Sequence, residues 1–248
     1  MISDLLLFVA VGFAAQLVDG AIGMAYGLTS TTVLLSLGVP PATASASVHA
    51  AEVFTTGASG LSHWRLGNVD RTLFRRLAIP GAAGGVIGAY LLTELPGDTV
   101  RPLVSAYLAI MGAVVLWKAL RKQAPEQRTP RYVPLVGLSG GFLDAVGGGG
   151  WGAMVASTLV GSGTKARLAI GSTNAAEFVV TVTISATFIL TIGLDLWPII
   201  TGLILGGVLA APFAAYVTRS LPDRSLMILV GIVIIVMSLR GLLQAFSA

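Results

Sequence analysis

The chain has 248 residues, of which 55% are hydrophobic and only 10% are charged, and its mean hydropathy is +0.88. A soluble domain carries roughly 25% charged residues, so this composition indicates an integral membrane protein with one membrane domain. The sequence contains 0 cysteines, which excludes disulfides, thiol catalysis and cysteine metal sites. In a membrane protein, a net charge of +4 first reflects the placement of loops, so we predict no nucleic-acid partner.

Apolar segments follow one another along the whole chain, in two sets of five. The first set lies at about 5–18, 22–37, 43–62, 77–95 and 102–118, and the second at about 132–143, 151–161, 168–192, 197–218 and 225–246. A helix needs about 20 residues to cross a bilayer, and the first two segments of each set are shorter than that. Between them lie "DGAIG" (19–23) and "DAVGGGG" (144–150), which indicate a broken or re-entrant helix pair. The later segments of each set are predicted to be transmembrane helices.

The two sets are similar in sequence as well as in length. A shift of about 125 residues places Asp19 on Asp144 and Glu52 on Glu177, whereas His49 meets Asn174. We therefore predict an all-α membrane protein of two repeats, each a broken helix pair followed by three transmembrane helices. The first repeat covers residues 1–120, a linker covers 121–131, and the second repeat covers 132–248.

The positions of the 15 basic residues predict how the chain crosses the membrane. If each short pair makes no net crossing, all of them except Arg101 and Arg240 fall on one side, which the positive-inside rule assigns to the cytoplasm. Each repeat then crosses an odd number of times, so the two repeats are inverted, as in many transporters. This arrangement places the linker in the cytoplasm and both chain ends on the outer face of the cytoplasmic membrane.

A polar stripe runs through the third segment of each repeat. In the first repeat, Ser45, His49, Glu52 and Thr56 are spaced to share one face of a helix. In the second repeat, Asn174, Glu177 and Thr181 form an equivalent stripe, and Ser172 and Thr173 lie beside it. An acidic group at the centre of a spanning helix costs roughly 2.5–3.5 kcal/mol, so the stripe should face a cavity, a partner or water. The alternative is a hydrogen-bonded cluster that only fixes the helix register.

The two broken helices offer an anion site. A helix that restarts within the membrane exposes unpaired N–H groups and a partial positive charge, and glycine lets the backbone approach a ligand closely. The aspartates at the breaks either take part in gating or only cap the restarting helices. The candidate substrate-binding residues are Gly23, Ser47, His49, Gly148, Gly149, Ser172, Thr173 and Asn174. The candidate gating or proton-coupling residues are Asp19, Glu52, Asp144 and Glu177.

The residue inventory argues against an enzyme. The 2 histidines, His49 and His63, lack the paired spacing of a metal site, and the sequence has no phosphate-binding Gly-Lys-Ser motif. His63 lies beside Trp64 and Arg65 at the predicted membrane boundary, where an interface anchor is the simplest role. We therefore predict no catalytic residue, no metal ion and no cofactor.

The duplicated motifs resemble those of a known family. The stretches "GFAAQLVDGAIGMAYG" and "GFLDAVGGGGWG", together with "SASVHAAE" and "GSTNAAE", are similar to the TauE/SafE family of membrane exporters. The similarity extends over essentially the whole chain. It implies a transporter of a small sulfur-containing anion, such as sulfite or an organosulfonate like sulfoacetate, and it indicates the family better than the substrate.

The direction of transport follows from the membrane potential. A cell interior negative by about 100 mV pushes each anionic charge outward with about 2.3 kcal/mol, so passive export is expected. Proton-coupled uptake, with Glu52 or Glu177 as the proton carrier, is one alternative, and a non-transporting membrane subunit is another. The expected partners are the anion and the lipid bilayer, and a homodimer is left open.

Overall fold

The computed structural model describes residues 2–22, 25–120, 132–193, 197–220 and 223–247, and all regular secondary structure in these ranges is helical. The helices of the first half are α1 (Ile2–Ile22), α2 (Tyr26–Ser36), α3 (Pro41–Arg65), α4 (Arg71–Glu94) and α5 (Gly97–Leu120). The second half has α6 (Val133–Gly147), a π-helical turn (Gly152–Ala156) that continues into α7 (Ser157–Gly161), α8 (Ala166–Ile192), α9 (Trp197–Ser220) and α10 (Asp223–Ser247). The all-α class is confirmed, and the predicted linker 121–131 lies outside the described residues.

Several helices have the length and composition of membrane spans. Within the described residues, 3 helices are long and apolar enough to cross a bilayer: α4, α5 and the stretch Arg167–Ile192 of α8. Shorter apolar stretches occur in α1, α6, α9 and α10. Helix α3 has 25 residues, but its Ser, Thr, His and Glu side chains lower its hydropathy. The protein is therefore a multi-pass membrane protein.

The two breaks lie later in the chain than predicted. Helix α1 continues through Asp19 to Ile22 and α2 begins at Tyr26, and α6 continues through Asp144 to Gly147. Residues Gly148, Gly149 and Gly150 form the second break, with φ values of 67°, 143° and 125° that glycine adopts without strain. The physical reason for the shift is that each aspartate belongs to the helix that ends, from which it reaches across to the helix that begins.

Neighbouring residues define the directions of the helices. Helices α3 and α8 are antiparallel, because Gly60 lies at Ala175 while His49 lies near Phe188. Helices α5 and α10 are antiparallel as well. By contrast, α1 runs in the same direction as α9, and α6 runs in the same direction as α4. Each half therefore packs its first helix against a helix of the other half.

Both broken pairs fold back on themselves as hairpins. At the start of α5, the Arg101 guanidinium donates to the carbonyl oxygen of Leu35, so α2 ends at the level where α5 begins. At the other end of the bundle, Arg167 at the start of α8 donates to Asn68, which follows α3. The α1–α2 hairpin and the α6–α7 hairpin thus enter the bundle from opposite ends, and their tips meet in its interior.

Glycines permit the close helix contacts that hold the hairpins in place. A Cβ atom at Gly84 of α4 would overlap the Leu138 backbone of α6, and one at Gly206 of α9 would overlap the backbone of Val9 and Phe13 in α1. Small residues let helix backbones approach closely, which is a main source of helix association in membranes. Gly84 and Gly88 of α4 have that role against α6.

Gly206 and Gly207 provide a matched test of this packing. A methyl group at Gly207 would meet Tyr26 at 3.7 Å, which is ordinary contact, whereas at Gly206 it would overlap backbone atoms of α1. We expect Gly206→Ala to destabilise the protein by about 1–3 kcal/mol, because overpacking forces the helices apart. Gly207→Ala should melt close to the wild-type temperature. Thermal melting in detergent, followed by size-exclusion fluorescence, measures both variants, and equal melting would contradict the predicted α1–α9 packing.

Candidate functional site

A cavity of about 270 Å³ lies where the two hairpin tips meet α3 and α8. Its lining residues are Gln16, Asp19, Tyr26, Gly27, Glu52, Thr55, Thr56, Ser59, Gly150, Gly152, Asn174 and Glu177. All but the glycines are polar, and they come from both halves of the chain. The cavity is slightly smaller than the roughly 300–1,000 Å³ typical of sites for drug-sized ligands, so its size suits a small solute.

Carboxyl groups dominate the walls of this cavity. Asp19, Glu52 and Glu177 line it, and Asp144 lies close enough to interact electrostatically with both glutamates. The lining residues that the structure describes include no Lys, Arg or His. In the described part of the chain, no set of three or more His, Cys, Asp or Glu side chains is arranged to hold a metal ion.

The start of α2 is already bonded to carboxylates of the protein. Asp19 Oδ1 accepts hydrogen bonds from the backbone N–H groups of Ala25 at 2.8 Å and Tyr26 at 3.1 Å. The Glu52 carboxyl group lies beside the backbone of Gly27, the second residue of α2. These backbone N–H groups belong to the anion site that was predicted from the sequence. An anion that enters the cavity therefore meets carboxyl groups at the first amides of α2.

The second hairpin repeats this capping and adds further bonds at its tip. Asp144 Oδ1 accepts a hydrogen bond from the Trp151 N–H at 2.8 Å. The Thr31 hydroxyl donates to the carbonyl oxygen of Gly148, and the Tyr107 hydroxyl donates to that of Gly149 at 3.0 Å. The capping alternative considered for Asp19 and Asp144 thus describes their geometry. It leaves open whether either also takes part in gating.

The polar stripe of α3 divides between two environments. Its C-terminal part, which includes Glu52 and Thr56, faces the cavity. Its N-terminal part is fully buried, and there His49 Nε2 lies 3.2 Å from Asp144 Oδ2. His49 Nδ1 lies 2.8 Å from the carbonyl oxygen of Ser45, so this nitrogen carries the donated proton. His49 therefore links α3 to the tip of the α6–α7 hairpin and lies outside the cavity lining.

The other candidate binding residues on α3 and α8 have different surroundings. Asn174 lines the cavity, accepts a hydrogen bond from Ser59 at 2.8 Å and donates to the Ile170 carbonyl oxygen at 3.0 Å. Ser47 donates to the carbonyl oxygen of its own helix at Thr43. Ser172 accepts a hydrogen bond from the backbone N–H of Asp70, outside the cavity lining.

The remaining candidates lie at or near the hairpin tips. Thr173 is fully buried, and its carbonyl oxygen accepts a hydrogen bond from the Trp151 indole. Gly148 and Gly149 pack against Thr31 and Gly27. Gly23 lies outside the described residues.

Four lining residues were not singled out from the sequence: Gln16, Tyr26, Thr55 and Ser59. Thr55 and Ser59 follow Glu52 at i+3 and i+7, on the same face of α3. Helical spacing therefore indicated both residues, and the predicted polar stripe should have included them. Gln16 precedes Asp19 by three residues on α1, which is the same type of signal. Tyr26 had none, because an aromatic residue after a glycine break looks like ordinary core.

Asp19 provides a test of the capping geometry. Asp19→Ala leaves two backbone N–H groups without their acceptor and should lower stability by about 1–2 kcal/mol. Asp19→Asn keeps a side-chain oxygen and should melt near the wild-type temperature. Melting in detergent measures both variants, and wild-type stability of Asp19→Ala would contradict the assigned cap. Anion flux through a stable Asp19→Asn variant then tests whether the negative charge has a separate role.

Comparisons with known proteins place the chain in a family. The sequence model of the family described as "Sulfite exporter TauE/SafE" matches residues 8–241. The chain is 40% identical to the probable membrane transporter protein YtnM of Bacillus subtilis (strain 168), over 98% of this chain and 84% of that protein. It is 31% identical to the probable membrane transporter protein ORF9 of Sinorhizobium sp, over 59% of this chain and 57% of that protein. No solved structure matches it. The chain belongs to the TauE/SafE family of membrane proteins.

Proposed function

We propose that this protein is a secondary transporter that moves a small sulfur-containing anion, such as sulfite or a short organosulfonate, across the cytoplasmic membrane. The observation that carries the proposal is the polar cavity between the two hairpin tips, in a multi-pass protein whose relatives are named probable membrane transporters. The family description, which names sulfite export, supports the choice of anion and the outward direction.

We further propose that the two halves form an inverted repeat with both chain ends on the outer face. The opposite entry of the two hairpins and the exchange of first helices between the halves support this arrangement. Arg65, Arg71 and Arg167 lie near the end where α3 stops and α8 starts, which the positive-inside rule would place in the cytoplasm. Thr55, Ser59 and Asn174, the partly exposed walls of the cavity, lie toward that same end.

The donors available to an anion are few and neutral. The Asn174 amide uses one N–H for the Ile170 carbonyl oxygen and keeps a second N–H for a ligand. The hydroxyl groups of Thr55, Thr56 and Ser59 are turned toward protein acceptors and can rotate toward a ligand. Weak, neutral binding of this kind suits a transporter, which must release its substrate on the other side.

The carboxyl groups favour a second candidate function, in which protons travel with the anion. Two unit charges of like sign about 5 Å apart repel by about 3 kcal/mol at an effective dielectric constant of about 20. An anion beside ionised Glu52 and Glu177 would meet this repulsion, and protons on the glutamates would remove it. In that case the anion and its protons cross together, and a pH gradient acid outside drives uptake.

Asn174→Ala tests the anion site. Currents are recorded from purified protein on a solid-supported membrane, with sulfite, sulfate, thiosulfate, sulfoacetate and chloride applied in turn. We expect a sulfite or sulfonate current in the wild type that falls about tenfold in Asn174→Ala, since losing one hydrogen bond to a charged ligand removes about 1.5 kcal/mol. The folded yield should stay normal. If the wild type gives no current and no isotope flux with any of these anions, the proposed substrates are wrong.

Glu177→Gln separates the two candidate functions. Glutamine is neutral like a protonated glutamate, so coupled transport should lose its dependence on pH while anion exchange persists. With the membrane potential clamped at zero, a gradient of about one pH unit should accumulate the anion about tenfold per coupled proton in the wild type. Glu94→Gln, which neutralises an exposed carboxylate outside the cavity, is the matched control.

The outcomes of this experiment discriminate all the alternatives. Wild-type flux that ignores the pH gradient would support passive export. Absence of flux in the wild type, together with a change in stability in Glu177→Gln, would support the non-transporting subunit.

A further inference from the structure

We propose that His49 and Asp144 form the gate that closes the transport path on the side opposite the cavity. The inference rests on the transporter function proposed above. It comes from a comparison of each cavity wall with its equivalent in the other half of the chain.

Three walls of the cavity have repeat equivalents that lie outside the cavity and are fully buried. Thr55, Ser59 and Asn174 are partly exposed, and the shift of 125 residues relates them to Val180, Ile184 and His49. These three equivalents are all 0% exposed. The same pocket therefore exists twice in the sequence, and in this structure it is open in one copy and filled in the other.

The filled copy lies on the far side of the central carboxyl groups. Helices α3 and α8 are antiparallel, so Ser59 and Asn174 are at one end while His49 and Ile184 are toward the other. Trp151, the equivalent of Tyr26, occupies the filled copy and is 0% exposed. Its ring and the Ile184 side chain pack onto Gly81 and Gly85 of α4, which seals that side.

The His49–Asp144 contact joins the elements that must separate if this side opens. His49 is on α3, and Asp144 caps the restart of the second hairpin through the Trp151 N–H. With Nδ1 bonded to the Ser45 carbonyl oxygen, Nε2 faces Asp144 alone at 3.2 Å. Because Nδ1 already donates to Ser45, the Nε2–Asp144 hydrogen bond needs one further proton, on Nε2 or on Oδ2, and this shared proton ties the hairpin tip to α3.

The equivalent contact in the open copy would join Asp19 to Asn174. Both residues line the cavity, and Asn174 is bonded to Ser59 and Ile170 instead. His49 and Asn174 are repeat equivalents that differ, and the closed copy has its bond across the path at this position. The neutral Asn174 amide is bonded elsewhere, so no equivalent bond to Asp19 closes the open copy in the described residues.

An unpaired polar group indicates that the filled copy of the pocket contacts water in another conformation. The hydroxyl oxygen of Thr181 is buried and has no hydrogen-bond partner among the described residues. Thr181 is the equivalent of Thr56, which lines the open cavity. A buried unpaired polar group is unfavourable, and opening this side to water would satisfy the Thr181 hydroxyl group.

The chain has 0 cysteines, so single cysteines can report which side is open. Ser59→Cys and Ile184→Cys are repeat equivalents and make a matched pair. A charged, membrane-impermeant maleimide is added to one side of sealed vesicles that contain the protein. With His49 present, Ser59→Cys should react and Ile184→Cys should not.

Replacing the gate residue should reverse the protection of Ile184→Cys. With His49→Asn added, its labelling rate should rise about tenfold, and only from the side opposite that which labels Ser59→Cys, because the bond lost is worth a factor of about ten. Asn174→His, which places a histidine near Asp19, should slow the labelling of Ser59→Cys. An unchanged rate at Ile184→Cys in folded His49→Asn protein, or labelling from the same side as Ser59→Cys, would overturn the proposal.

Two features keep the test decisive. If His49→Asn fails to fold, His49→Leu removes the same contact, fills a similar volume and leaves Asp144 as the acceptor for the Trp151 N–H, and it should give the same rise. Labelling requires no substrate, so the gate can be tested even in a protein that transports none of the anions offered. Loss of transport with an intact labelling pattern would thus count against the proposed substrates and leave the gate standing.

Discussion

The backbone at the two hairpin tips has to be hydrogen-bonded without help from water, and the rest of the structure depends on how the chain meets this requirement. Unsatisfied backbone groups within a bilayer cost several kcal/mol each, so irregular backbone is tolerated there only inside protein or at a water-filled cavity. Here Asp19 and Asp144 each reach across a break to the amides that follow it. This solution brings carboxyl groups to the centre of the bundle, where both tips are packed against the other half of the protein.

The glycine contacts follow from the same requirement. A hairpin that ends inside the bundle must be held by its neighbours, and it is held by a helix of the opposite half: α9 for α1, and α4 for α6. At these contacts the backbones approach so closely that any side chain would overlap them. Each tip is therefore attached to one half in sequence and packed on the other half in space. A movement between the halves would change the contacts of both tips together.

The sequence predicted the elements of this arrangement better than the contacts between them. Composition, segment length and the repeated Asp-to-Gly stretches were enough to predict an all-helical protein with two broken pairs, because these properties depend on local sequence. The ends of the breaks were misplaced by a few residues, since Asp19 and Asp144 look like helix breakers until their acceptor oxygens are seen to serve the next helix. Glycine motifs gave no indication of which amides would stay free for an anion.

The residues of the candidate site could be predicted where the polar stripe followed helical spacing. The prediction failed where a residue's surroundings depend on a contact with the other half of the chain. Glu52, Glu177 and Asn174 were identified from periodicity and repetition, and all three line the cavity. His49 belongs to the same stripe, yet it is fully buried against Asp144. Periodicity predicts that a residue faces inward, but the hairpin tip it meets comes from the other half of the chain. No local pattern contains that information.

The difference between His49 and Asn174 has an energetic meaning in a duplicated protein. An exact duplication would give the two arrangements, with either copy of the pocket open, the same intrinsic free energy. One bond present in a single copy breaks that equality, and each 1.4 kcal/mol of difference shifts the populations tenfold. A carrier needs both arrangements to be accessible, so the bias has to stay within a few kcal/mol, the range in which a minor state is still populated at about 0.1–10%. Under the proposed gate, the His49–Asp144 bond contributes a bias of that size to the arrangement in which its own side is closed.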